Sequence, residues 1–391
     1  VTLAVLQYKP QDNKMFTNGI LNPASSQSRQ PRGIVLINNM PVMWTDIEVT
    51  TTTFYMSDSF RIEIPLNQQP IPFNFDYWVS TPKFTVKIYI GFPNDPSIFT
   101  TQDLDLIILG DADEVEVDPL GARVLLSGRD YTSKFIDIKT TEKFPGKTSS
   151  YIVTQFANTA GLNPVVTPTT TVVGTFYDTQ QTLLSRTVTQ WDLMTFLAQQ
   201  ENFVLFVQKD NLVFEPRPND SKNPYILTYQ PPTIIQSSPV FNGMALGITR
   251  YMTLAKDVKV TVKSPYNSKT GKAFYVTVTS THKSRAYLHG VPPPSSEVQK
   301  YSYIIPGLTP EQATQKANQL LRDITLHEVN LTASVPGENT LQKDSLIKLQ
   351  GTGTSADQFY YVDQVVRYLS VNGYNMTISA KNHSVDSEVT I

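Results

Sequence analysis

The chain has 391 residues, with 32 Lys+Arg against 34 Asp+Glu, a formal net charge of −2, no Cys and only 17% charged residues. The length allows about two to three domains and a substantial core. The charge balance excludes a strongly basic nucleic-acid binder, and the lack of cysteine excludes disulfides, thiolate metal sites and a Cys nucleophile.

No apolar run reaches the ~18 residues of a membrane helix, so no membrane span is expected. Val1 to Met15 lacks the charged-apolar-small pattern of a secretory leader, and none is expected there. Residues 10–32, rich in Asn, Gln, Ser and Pro, read as a loop or arm. Strands are then predicted over 33–38, 46–55, 59–65, 84–90, 104–109, 114–118 and 122–127. They are short, mostly alternate apolar with polar residues, and have no predicted helix between them, which is the pattern of a barrel or sandwich. This first β-barrel domain is placed at 1–127.

Residues 128–217 read as a small α+β domain. Ile152, Val153, Phe156 and Ala160 fall at helical spacing, and Gly161 is a natural stop. Leu193, Met194 and Leu197 do the same over 189–200, and a strand-like tail follows each helix, at 162–166 and 203–207. Shifted by 41 residues the segments align without gaps, Ile152 on Leu193, Phe156 on Leu197 and Leu162 on Phe203, a weak helix–strand repeat. The second unit ends in a hairpin through Lys209-Asp210-Asn211 into 211–215. Residues 218–391 return to strands at 245–251, 257–264, 273–281, 329–335, 346–351, 359–369 and 374–380. One helix interrupts them over 309–326, opened by Thr309, Pro310 and Glu311. The fold class is mainly β with a small α+β part: two barrel-like domains bridged by a helix-containing one.

Chemistry-bearing motifs are sparse. His282, His289, His327 and His383 show no metal-ligand spacing, and no metal site or cofactor is expected. Phe144 to Ser149 (FPGKTS) contains Gly-Lys-Thr, but Thr141 stands where a phosphate loop needs glycine, so it reads as a turn before a helix. Asp111 to Asp118 (DADEVEVD) is the densest acidic run. Its alternation puts Val115 and Val117 on one face and Glu114, Glu116 and Asp118 on the other, a solvated strand face that would repel nucleic acid if it lined a channel. No Gly-x-Ser-x-Gly elbow, kinase or dinucleotide fingerprint occurs.

Ser127 to Asp137 (SGRDYTSKFID) resembles the Gly-Arg-Asp-x-Thr…Leu-x-Asp junction of contractile-phage tail baseplate hub proteins, the late control D and phage Mu hub group, related to the hub part of type VI secretion spikes. Asp58-Ser59-Phe60, Lys87 to Gly91 (KIYIG), the units at 149–166 and 189–215, and the closing Gly351 to Ile378 resemble further segments in the same order. Phe135 departs from the family's usual Leu, and the early loop has no counterpart. The resemblance implies two tube barrels bridged by the α+β part. It also implies a homotrimer whose six barrels adapt a sixfold tail tube to a threefold central spike. The expected role is a virion structural protein of the tail baseplate, assembled in the host bacterial cytoplasm, contacting spike, tail tube and other baseplate proteins. DNA would pass through without specific binding, and no catalytic activity is expected. The alternative is a carbohydrate-binding or glycan-hydrolysing β-protein with Asp111, Asp113, Glu114 or Glu116 as acids. That reading expects exposed Trp platforms, and Trp44, Trp78 and Trp191 are the only tryptophans.

Overall fold

The computed structural model describes residues 30–382 except 71, 141, 143, 145, 171–187, 218–223, 233–237, 252–256, 265–273, 281–297, 306–309, 326–328, 344 and 355. The four histidines, Thr309 and most of the 10–32 loop lie outside the described residues.

The first β unit comprises β1 (Arg32–Ile37), β2 (Met40–Val42), β3 (Asp46–Thr52), β4 (Ser59–Pro65), helix α1 (Phe75–Ser80), β5 (Thr85–Gly91), β6 (Asp105–Asp118) and β7 (Arg123–Asp130). Alternation decides the faces. Ile47 and Val49, Phe60, Ile62 and Ile64, Val86, Ile88 and Ile90, and Val124 and Leu126 are buried in one core, their odd or even neighbours facing out. Asn38 and Asn39 carry φ of 50° and 64° and form the two-residue turn between β1 and β2. Strand order is β2-β1-β5-β6-β7-β4-β3, and β2 leads into β3 through only Met43, Trp44 and Thr45. One run of chain therefore links the two ends of the order, and Trp44 Nε1 donates to Gly33 O at 3.3 Å across the seam.

Two sequence expectations are corrected here. The stretches 104–109 and 114–118 are one 14-residue strand with a bulge between Ala112 and Glu114, which absorbs the break in alternation. A helix does interrupt the strands: α1 is only six residues long, capped by the Asn74 side chain accepting from Tyr77 N, and its Trp78 is buried against Phe73 and Phe84.

The central unit holds α2 (Ser133–Ile136), β8 (Lys139–Thr140), α3 (Ser149–Thr159), β9 (Asn163–Val166), β10 (Val188–Thr189), α4 (Gln190–Glu201), β11 (Phe203–Gln208) and β12 (Asn211–Pro216). The repeat is physical. Thr148 and Thr189 cap α3 and α4 with their hydroxyls, Gly161 and Asn202 take left-handed φ of 72° and 56° after them, and the aligned apolar pairs meet in one core. β12 lies between β11 and β9, antiparallel to the first and parallel to the second. Gly146 at φ 69° and the Thr148 cap confirm FPGKTS as a turn into a helix.

The last part contains β13 (Tyr225–Gln230), β14 (Val240–Phe241), β15 (Ala245–Arg250), β16 (Asp257–Ser264), β17 (Phe274–Ser280), β18 (Val298–Ile304), α5 (Pro310–Thr325), β19 (Val329–Pro336), β20 (Leu346–Gln350), β21 (Phe359–Ser370) and β22 (Gly373–Asn382). β13, β14 and β18 were not legible in the sequence. β16–β18 and α5 make a separate sheet with its own core, where Ala313, Ala317 and Leu321 on one helix stripe meet Val258, Val260 and Val262. The remaining strands run β14-β13-β20-β21-β22-β19-β15, the same order by rank as the first unit. Asn242 N donates to Thr228 O and Met244 N to Ser334 O, so the short link from β14 to β15 again draws the two ends together. One difference is that β13 pairs parallel to β20 where β1 pairs antiparallel to β5.

The two units are joined by β21. Its first half pairs with β20 and its second half, Gln364–Ser370, pairs with β3, while β22 runs along its other edge. The result is one 14-stranded sheet through both units. The fold is mainly β, as expected.

Candidate functional site: an acidic sheet face and a buried charged junction

The outward residues of β3, β4, β7 and β6 form rows across the first unit. Glu48 lies opposite Arg61, Arg61 opposite Ser127, and Ser127 opposite Glu114. In the next row Asp46 lies opposite Glu63, Glu63 opposite Leu125, and Leu125 opposite Glu116. Asp46, Glu48, Glu63, Glu114 and Glu116 thus share one face with Arg61. The two arginines of the neighbouring β7 are already neutralised. Arg123 sits 3.4 Å from Asp118, and Arg129 grips Asp113 through Nε and Nη2 at 2.7 and 2.8 Å while reaching Asp137 at 3.1 Å. These carboxylate bonds raise the Arg129 pKa further above its ordinary range.

The face continues over the second unit without that run of acids, with Lys348 set over the Phe359 ring. Tyr368, Asn375, Thr377, Gln364 and Thr332 point outward, and Lys381 is paired with Asp363 at 2.5 Å. Tyr368 donates to Asp46 across the seam between the units.

The acidic run singled out in the sequence is therefore part of a wider surface. Val115 and Val117 pack on the core and Glu114 and Glu116 face out, as predicted. Asp111 is tied to Lys83 at 3.0 Å and to the Thr85 hydroxyl, Asp113 to Arg129, and Asp118 to Arg123 and Gly121 N. The members Asp46, Glu48 and Glu63 come from other strands, and alternation within 46–48 and 61–63 was their only sequence signal. Trp78 and Trp191 are buried and Trp44 partly so, which leaves no exposed tryptophan platform. Among the described residues no cluster of three His, Asp or Glu could hold a metal, and no helix is long and apolar enough to cross a membrane.

A second constellation lies inside, where the first unit, the central unit and the loop after β19 meet. It borders a crevice of about 720 Å³ lined by Asp58, Asp130, Phe206, Leu341, Lys343 and Arg367 among others. Asp130 ends β7 inside the Gly-Arg-Asp motif and is 4% exposed. Its Oδ1 accepts from the Ser57 hydroxyl at 2.8 Å and Thr132 N at 3.1 Å, and its Oδ2 has no hydrogen-bond partner. Burial and then the nearby Asp58 charge push its carboxyl up to about 6, against the opposing pull of Lys343.

Asp58 accepts from Thr52 N at 2.9 Å, and Lys343 Nζ lies 2.9 Å from its Oδ1 as a charge contact rather than a directed hydrogen bond. Lys343 also stands 5.6 Å over the Phe206 ring of the central unit. Arg367 is buried and satisfied by Glu338 O, Leu341 O and the Thr51 hydroxyl, and burial lowers its pKa. Asn339 Nδ2 donates to Ile90 O at 2.7 Å and Asp105 Oδ2 at 2.9 Å. The loop 338–343 therefore laces the second unit to the first.

The central unit is fixed beside this junction by aromatic groups. Tyr55 N donates to Leu205 O and its hydroxyl to Phe203 O, Trp191 Nε1 donates to Tyr55 O, and Phe135 stacks at 6.3 Å on Trp191. Asp58 and Asp130 stood inside motifs read from the sequence, but their charge role did not, because Lys343 and Arg367 are remote in the chain.

No protein-family model and no curated protein matches the sequence. Solved structures do. A tail protein from Neisseria meningitidis MC58 superposes with a TM-score of 0.61 at 14% identity, covering 90% of this chain and 96% of that one. The 43 kDa tail protein of prophage MuSo2 from Shewanella oneidensis gives 0.61 at 14% identity over 92% and 99%. An E. coli component of the type VI secretion system gives 0.50 at 10% identity over 90% and 77%. Along nearly its whole length, the chain has the fold of phage tail proteins and of this type VI secretion component.

Proposed function

We propose that the protein is a structural component of a phage-type tail, the baseplate hub, acting through assembly rather than catalysis. The observation that carries the reading is the end-to-end sharing of fold with two tail proteins that are themselves almost wholly covered. Three copies would place six β units around an axis, threefold by chain and near-sixfold by unit, because the two units of each chain share one strand order. A head-to-tail ring of this kind closes on itself. It would sit between a tail tube on one side and a central spike on the other, in the baseplate of a virion assembled in the host cytoplasm.

The continuous sheet suits a conduit wall. Its outward face is acidic over one unit and carries Asp363, Lys381 and Lys348 over the next, so it offers a passing DNA duplex few cations to exchange for its counterions. DNA would slide past without being held. Of the acids in the glycan-hydrolysing alternative, Asp111 and Asp113 are committed to Lys83 and Arg129, which leaves it only Glu114 and Glu116.

The test is location. Gold-labelled antibodies against the chain, applied to tail particles from the organism that encodes it, are expected to mark the baseplate end of the tail. Label along the tube, at the head end or absent from particles would overturn the hub reading.

A further inference from the structure

Lys343 touches all three parts: it is borne by the loop after β19, paired with Asp58 of the first unit, and set over Phe206 of the central unit. Beneath it lies Asp130, which is 4% exposed and carries a carboxylate oxygen with no hydrogen-bond partner. Two carboxylates thus share one ammonium. The groups that face Asp130 are Asp58 and Ser57 from the β3–β4 turn, Lys343 from the loop and Thr132 just before α2. Arg367 on β21 lies beyond them and is engaged by Glu338 O, Leu341 O and Thr51. Lys209 and Glu215 of the central unit line the farther part of the crevice with Asp105 and Glu338.

We propose that this junction is an acid-tightened latch: proton uptake on Asp130 seats the 338–343 loop between the two β units, and proton release loosens it. With Asp130 protonated, the Asp58–Lys343 pair stands alone and the buried site holds no surplus anion. With Asp130 ionised, a second negative charge lies beside Asp58 and one of its oxygens remains without a hydrogen bond. Opening the loop hydrates that charge, so the ionised form favours the open junction and the protonated form the closed one. Lys343 softens the effect without cancelling it, since burial outweighs its pull. The loop holds Asn339 and the acceptors of Arg367, so its seating sets how firmly one β unit is tied to the other. The device goes beyond the hub reading and does not depend on it.

Hydrogen exchange on the full chain tests the latch, read as protection factors for amides of 338–343 between about pH 5 and pH 8. Protection is expected to fall roughly ten- to hundredfold as the pH rises through about 6, with the exchange of the β3–β4 core unchanged. Asp130→Asn, neutral at every pH, should stay protected and lose the dependence. Lys343→Met should move the midpoint upward, because the charge that opposes protonation is gone. Wild-type protection that does not vary with pH, or an Asp130→Asn variant that varies as the wild type does, overturns the proposal.

Discussion

Replacing Asp130 by Asn isolates the energetic consequence of a carboxyl buried at a three-way junction. In the unfolded chain the group titrates near its ordinary 3.8, and in the folded chain near about 6. The folded state therefore holds the proton more tightly. The stabilisation from this group is complete below 3.8 and is lost as the pH rises through about 6. At about 1.4 kcal/mol per pH unit, the interval is worth about 3 kcal/mol. Asn keeps an oxygen for Ser57 and Thr132 and is never charged, so its folding energy carries no such dependence. Urea unfolding of both proteins at several pH values gives the difference directly, with the carboxylates outside the junction cancelling. Asp130→Asn is expected to gain about 3 kcal/mol on the wild type between about pH 4 and pH 8. A difference that stays constant, or one that grows on acidification, would refute the reasoning.

Other substitutions separate the sources of the fold's stability. Gly110→Ala would put Cβ 1.9 Å from Arg129 O, and Gly128→Ala 2.3 Å from Asp111 O, both against backbone at the β6–β7 crossing. Each should cost at least about 3 kcal/mol in urea unfolding. Gly146→Ala, at φ 69° in open space, should cost only about 1 kcal/mol, and equal losses at all three sites would contradict the distinction. Thr148→Ala and Thr189→Ala each remove an N-cap and should cost about 1 kcal/mol, additively because the caps are separate. Changing Glu48, Glu114 and Glu116 together to Lys should leave unfolding nearly unchanged while creating salt-sensitive binding of duplex DNA in fluorescence anisotropy. Equal DNA binding by the wild type would remove the acidic-wall argument. Incubation with peptidoglycan or soluble glycans should release no product.

Periodicity carried most of the fold. Strands such as Ser59–Pro65 and Asp257–Ser264 were readable to the residue because buried and exposed positions alternate without interruption. The helix–strand repeat was readable from its aligned apolar positions, while the equivalent caps Thr148 and Thr189, and Asn202 as the left-handed counterpart of Gly161, emerged only in the structure. What failed was local irregularity. The bulge at Ala112–Glu114 breaks the alternation of β6 and made one strand look like two. Phe75–Ser80 is too short to show a helical period, and β18 has its pattern masked by Tyr301 and Tyr303, which pack while remaining polar. The acidic face was legible only along β6, because its other members are brought alongside by strand order. The junction was legible in part: Asp58 and Asp130 stood in recognisable motifs, but nothing local announces that a loop lysine and a β21 arginine will meet them.

The proposed hub requires three copies of this chain to close into a ring. Light scattering on the purified protein, followed by negative-stain imaging of the same peak, tests it directly. The expected particle has three times the 43.8-kDa chain mass and is seen end-on as a threefold ring with a central opening. A compact monomer that persists at every concentration and after addition of spike and tube proteins would contradict it.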